Sequence, residues 1–157
     1  MFSQSSVLAV ATTSAVLAAG GVMAFDKRPS TPEVQPILRS ADGHFWADAA
    51  ASSDVGHARI RFLVDTGASS VALTADDARK LGLKTEQLIY SRPVATAQGE
   101  TRAAPVVLSR LTVGGAELRD VKALVLKGGP KTSLLGMSYL GRLSRIEATP
   151  EALILRR

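Results

Sequence analysis

From Phe45 to Leu155 most of the chain is written in period two: short runs with apolar side chains at alternate positions, broken by glycine, proline or small polar pairs. Such alternation sets one face of a strand against a core and the other in water, and a helix cannot satisfy it. Phe45, Ala47 and Ala49 mark a first strand, with Asp54-Val55-Gly56 as the turn after it. Ala58, Ile60, Phe62 and Val64 alternate with Arg59, Arg61 and Leu63, so a strand over 58–64 becomes apolar on both sides and dives into the core. Further strands are expected over 88–97, 101–108, 110–113, 117–126, 145–148 and 152–155. Between them stand the turn signals Gln98-Gly99, Gly114-Gly115, Gly128-Gly129-Pro130 and Thr149-Pro150. A helix interrupts this pattern, with Thr74 as N-cap, Asp77 as a short-armed capping-box partner, Ala78 and Leu81 on the inner face and Gly82 as the stop. Many short strands with one or two short helices specify an all-β fold, a closed or partly closed β barrel.

The chain has 157 residues, which suits one ordinary domain and not a bilobal enzyme. The folded unit is expected over 41–157. Ahead of it, residues 26–40 carry Pro29, Pro32 and Pro36 with little apolar content and form an extended tether. Residues 1–25 contain no Asp, Glu, Lys or Arg, and Val7 to Phe25 nearly matches the roughly 20 residues that span a bilayer. A transmembrane anchor is favoured over a cleaved signal peptide ending at Val22-Met23-Ala24, because the basic n-region is missing. Lys27 and Arg28 would, by the positive-inside rule, place the C-terminal part in the cytoplasm.

Several chemistries are excluded or weakened at once. There is no cysteine for a thiolate nucleophile or a Cys-based metal site, and the two histidines, His44 and His57, lie in no zinc-binding spacing. No histidine is placed to activate Ser69 or Ser70 as nucleophile. The net charge of +5 comes from 19 basic residues scattered singly or in pairs, with no run and few aromatics, so nucleic acid is not an expected partner. Gly128-Gly129-Pro130-Lys131-Thr132 lacks the spacing of a phosphate-binding loop. No cofactor or metal is expected.

The informative segment is Phe62-Leu63-Val64-Asp65-Thr66-Gly67-Ala68-Ser69-Ser70. Of the 14 acidic residues, Asp65 alone directly follows three apolar residues in a core strand. A carboxylate there needs partners or a function, since burying it bare costs several kcal/mol. Thr66 and Ser69 offer hydroxyls, and Gly67 lets the backbone turn tightly beneath the carboxylate. An Asx-type turn closing the strand explains Asp-Thr-Gly equally well if nothing else accompanies it.

Two other segments accompany it in order. Pro93-Val94-Ala95-Thr96-Ala97-Gln98-Gly99-Glu100-Thr101 has the form of a hairpin with Gln98-Gly99 at its tip, and Ser133-Leu134-Leu135-Gly136-Met137-Ser138-Tyr139-Leu140 places a glycine after two apolar residues. Together with the Asp65 segment these resemble single-domain, retropepsin-like bacterial aspartic proteases with an N-terminal membrane segment. The resemblance covers about residues 41–157. It implies a retropepsin-like closed barrel that is one lobe of a two-fold dimer, and an aspartic endopeptidase activity in the periplasm, at a bacterial inner membrane crossed by a single span. It also implies Asp65, Thr66 and Gly67 as the catalytic loop, and Ala68, Ser69 and the hairpin residues Ala97, Gln98 and Gly99 as contacts to a peptide or protein substrate.

Peptide hydrolysis by this route takes two carboxylates sharing one proton. Asp54, Asp76, Asp77 and Asp120 all lack the flanking motif, so the second carboxylate is expected from a second copy of the chain. Thr66 would hydrogen-bond across the dyad, as the resemblance implies. The terminal strands, including 152–155, and the strand near Phe45 and Trp46 are candidates for the dimer sheet, although Trp46 fits an ordinary core as well. Two alternatives stay open: a module of the same fold that grips an extended peptide without cutting it, and a structural β domain in which Asp65 caps a turn.

Overall fold

The computed structural model describes residues 33–96, 99–128 and 131–157. In chain order the strands are β1 (Ile37–Leu38), β2 (Trp46–Ser52), β3 (His57–Val64), β4 (Val71–Leu73), β5 (Arg92–Thr96), β6 (Gly99–Val113), β7 (Ala116–Leu126), β8 (Ser133–Leu135), β9 (Arg145–Ala148) and β10 (Ala152–Arg156). Two short helices, α1 (Ala75–Lys80) and α2 (Met137–Leu140), and a 3-10 turn over Thr85–Gln87 complete the elements among the described residues. The strands β2-β3-β8-β4-β7-β6 pair in that order, and β6 returns to β2, so the barrel expected from the alternation closes on itself. Strand β5 adds to the outside of β6 as the other half of a hairpin, and β1-β10-β9 form a separate small sheet.

Burial follows the pattern of the residues. Ala47, Ala49 and Ala51 of β2, with Ile60 and Phe62 of β3, point inward and are buried, while Arg59 and Arg61 face out. Leu73, Leu108, Leu111, Leu135 and Tyr139 join them in one core. The Tyr139 hydroxyl donates to the carbonyl of Ala116 at 2.6 Å, so its burial leaves no polar atom unpaired. Trp46 is half-buried: its indole N–H donates to Asp42 at 2.9 Å, and the Arg61 guanidinium lies 5.3 Å from the centre of its ring.

Four local departures from the expected pattern have physical causes. Residues 88–91 form no ladder: the 3-10 turn at Thr85 holds them in place through the Tyr90 hydroxyl, which donates to the Thr85 carbonyl at 3.0 Å. Strand β6 runs unbroken for 15 residues through Pro105, which needs no partner there. One edge of β6 is covered by β5 up to Ala103 and by β2 from Arg110, so the missing N–H of Pro105 falls in the open interval. Strands β4 and β8, three residues each, are too short to show a period. The end of the expected tether is part of the fold: Ile37 pairs with Leu153 and is buried, so the ordered domain begins ahead of Ala41.

Among the described residues no helix is long and apolar enough to cross a membrane. The anchor expected over 1–25 and residues 26–32 of the tether lie outside the described residues, as do Ala97 and Gln98.

The cap of α1 differs instructively from a capping box. The Thr74 hydroxyl accepts from the Asp77 N–H at 3.1 Å, but the Thr74 N–H goes to Ser133 instead of the Asp77 carboxylate. Ser133, buried at the start of β8, relays the bond: the Thr74 N–H donates to its hydroxyl at 3.1 Å, and that hydroxyl donates to Asp77 at 2.7 Å. Lys80 donates to the other carboxylate oxygen at 2.7 Å. Gly82 then stops the helix with φ +78°, where a side chain would be strained. Burial alone would raise the Asp77 carboxyl, but the hydrogen bonds from Lys80 and Ser133 outweigh it and hold it below its ordinary value of 3.8. A carboxyl lowered on folding stabilises fully above its unfolded value and loses that contribution as pH falls through the folded one. Thermal melts of parent and Asp77→Asn should therefore differ most above about pH 4 and converge as the pH drops below 3.8. Ser133→Ala, which strands the Thr74 N–H and one carboxylate oxygen, should cost about 1–3 kcal/mol in denaturant unfolding.

Candidate active site

Strand β3 delivers Leu63 and Val64 to the end of the barrel, and the chain turns at Asp65. Parallel pairing with β8 sets Val64 beside Leu135, and the Asp65 N–H donates to the Leu135 carbonyl at 3.1 Å. The loop then closes on itself: the Gly67 N–H donates to Asp65 Oδ1 at 2.9 Å, and the Ala68 N–H to the Asp65 carbonyl at 3.3 Å. The Asx-turn hydrogen bond is therefore present, but the loop carries more than a turn requires.

Gly136 lies directly beneath it. A Cβ there would collide with the carbonyl oxygens of Ser70 and Ala68, so only glycine lets α2 approach this closely. The Met137 N–H donates to the Ala68 carbonyl at 2.8 Å. Ser138 fastens the far end, accepting from the Val71 N–H at 2.8 Å and donating to the Lys122 carbonyl at 2.7 Å. The loop is thus held by β8 and α2 at Asp65, Ala68 and Val71, and its carboxylate has no ion pair among the described residues.

Asp65 is half-buried, whereas Thr66, Gly67 and Ser69 are exposed. Asp65 stands in a groove of about 900 Å³ walled by Leu63, Ala72, Leu124, Leu126, Leu134 and Val94. Gly67, Ala68, Ser69 and Ser70 form its rim on the loop side, Ala95 and Thr96 of β5 its rim on the hairpin side, and Lys131 and Thr132 its end. Among the described residues Asp65 is the only acidic side chain lining it. Asp76 and Asp77 are engaged at α1 by Arg79 and Lys80, and Asp54 and Asp120 are exposed elsewhere.

Of the residues picked out from the sequence, Asp65, Gly67, Ala68 and Ser69 come together in this groove. Thr66 sits in the loop but does not line the groove, and its side chain makes no hydrogen bond among the described residues. Gly99, at φ +112°, is the cross-strand partner of Thr96 at the base of the hairpin tip and does not line the groove. The apolar wall from β4, β7 and β8 escaped the sequence because facing on both sides of a buried strand has no period to read. Ser138 was visible only as part of a motif, since its bond to Val71 crosses 67 residues of sequence.

Residues 51–142 match a family model described as "gag-polyprotein putative aspartyl protease". An uncharacterised protein of Rickettsia prowazekii is 44% identical over 119 residues, covering 76% of this chain and 49% of its own length. An uncharacterised protein encoded in the cobV 5′ region of a Sinorhizobium species is 41% identical over 121 residues, covering 76% of this chain and 50% of its own. The chain therefore spans about half the length of the curated relatives it matches. The crystal structure of a retropepsin-like aspartic protease from Rickettsia conorii superposes with a TM-score of 0.65 at 42% identity, over 76% of this chain and 96% of that one. With barrel, loop and relatives in agreement, the chain belongs to the family of gag-polyprotein aspartyl proteases and carries a retropepsin-like aspartic protease domain.

Proposed function

We propose that the domain is an aspartic endopeptidase that acts as a homodimer, with one Asp65 from each chain. The observation that carries this reading is a single carboxylate, rigidly held at the wall of an apolar groove, with no second acid beside it among the described residues. In a two-fold dimer the loops face each other, and an isologous contact needs no second gene product. One carboxylate then takes a proton from the attacking water while the other, protonated, polarises the scissile carbonyl. Gly67 keeps the loop low enough for the carboxylates to approach, and the Thr66 hydroxyl is available to bond across the axis. The β5–β6 hairpin, with Ala97, Gln98 and Gly99 around its tip, would close over an extended peptide and offer it main-chain hydrogen bonds. Attachment to a bacterial inner membrane, with the domain in the periplasm, is a further part of the proposal; the attachment rests on the charge-free run Val7–Phe25 alone.

Asp65→Asn should lower cleavage of an unstructured polypeptide by roughly 10²- to 10⁴-fold or more while circular dichroism and the mass in solution stay as in the parent. Equal cleavage by parent and variant would end the assignment. Retained peptide binding by a parent protein that never cuts would instead favour the non-catalytic module. Two carboxylates about 3 Å apart cannot both ionise, so cleavage assayed from about pH 3 to 8 should peak in the acid to mildly acidic range and fall as the shared proton is lost. Activity per chain should also rise with protein concentration, in step with the dimer fraction measured by sedimentation.

A further inference from the structure

We infer that the groove selects substrates bearing an acidic side chain some way from the scissile bond. This rests on the proposed proteolysis at Asp65 and adds a substrate class to it. Past Ser69 and Ser70 lies a second hollow of about 510 Å³, which shares those two residues and Leu124 with the Asp65 groove. An extended peptide lying along the loop therefore passes from one into the other, advancing about 3.3 Å per residue.

The charges along this path have one sign apart from Asp65. Lys131 is the other charged residue of the first groove, and Arg92 and Lys122 are the charged residues of the second, which has no acid among its described lining residues. Elsewhere some cations meet the domain's own carboxylates, Arg110 and Arg119 with Glu117 and Arg145 and Arg156 with Glu147, while others such as Arg59, Lys84 and Arg102 have no carboxylate partner among the described residues. Arg92 and Lys122 differ from these in lining one hollow beside the Asp65 groove. Arg92, Lys122 and Lys131 have no carboxylate partner among the described residues. The hollow that Arg92 and Lys122 line is otherwise largely apolar, with Pro105, Val106 and Val107 of β6 in its lining, a low-dielectric surface that concentrates the field of the two cations. Lys122 is also fixed at its backbone, because its carbonyl accepts the Ser138 hydroxyl that clamps the catalytic loop. A guanidinium and an ammonium in an apolar lining fit a substrate Glu or Asp, with Arg92 offering a forked pair of donors and Lys122 a point charge.

The test uses one apolar peptide sequence in which a single Glu is walked outward from the scissile bond on either side, with Gln and Lys at the same positions as controls. Rates are measured at about pH 6, where Glu is ionised, and affinities for the uncut peptides are measured by fluorescence anisotropy with the Asp65→Asn protein. At one or more outlying positions Glu should exceed Gln in kcat/KM by about fivefold, with Lys disfavoured. The ratio should fall towards one in the double variant Arg92→Gln, Lys122→Gln, and in the parent at about 0.5 M salt. A ratio of one or less at every position, or a preference that survives both the double substitution and salt, overturns the inference and leaves proteolysis standing. If nothing is cut but Asp65→Asn still prefers Glu peptides, the proteolytic reading falls and acid selection stands. If no peptide is either cut or bound, both fall.

Discussion

The contact on which this structure depends is the packing of Gly136 against the carbonyls of Ala68 and Ser70. It brings the start of α2 under a loop that is far away in sequence, and proximity then allows three hydrogen bonds: Leu135 with Asp65, Met137 with Ala68, and Ser138 with Val71. A bulkier residue at 136 would push α2 away from the loop. The carboxylate of Asp65 is therefore positioned by backbone geometry, so its place does not rely on a neighbouring charge. In the proposed dimer this hold matters, because a cation beside the carboxylate would compete with its pairing to the second one.

The same economy appears at the other end of β8. Ser133 begins the strand by completing the cap of α1, and Gly136 ends the segment by seating the loop. A strand of three residues, with its first residue as one anchor and Gly136 just after it as the other, ties a helix on the outside of the barrel to the proposed reaction centre on its rim. Parallel pairing with β3 and a single antiparallel contact with β4 are enough to keep so short a strand in the ring, because both of its ends are fastened by side-chain or close-packed contacts.

The parts legible in the sequence were those with a local signature. Ala47, Ala49, Ile60 and Phe62 announced their strands by alternation, and Thr74 and Gly82 announced the limits of a helix. Asp65 stood out because an acid after Phe62-Leu63-Val64 violates the pattern around it. What was not legible depends on residues far apart in sequence meeting in space. Ser133 gives no hint that it relays a cap, and Ile37 sits among prolines that speak for an extended tether while pairing with Leu153 at the other end of the chain. The wall of Leu124, Leu126 and Leu134 was predictable as apolar but not as the side of a groove, since burial on both faces of a strand looks the same in sequence whichever face a substrate will touch.

Pro105 has a consequence for the life of the molecule apart from any chemistry at Asp65. Between Ala103 and Arg110 one margin of β6 has no neighbouring strand among the described residues, and Val107 stands exposed there at 54%. A bare margin with an apolar side chain is where foreign chains zip on and fibres begin. The imide nitrogen of Pro105 interrupts the row of donors that such growth would copy, so a long strand crosses the barrel without offering a template for aggregation.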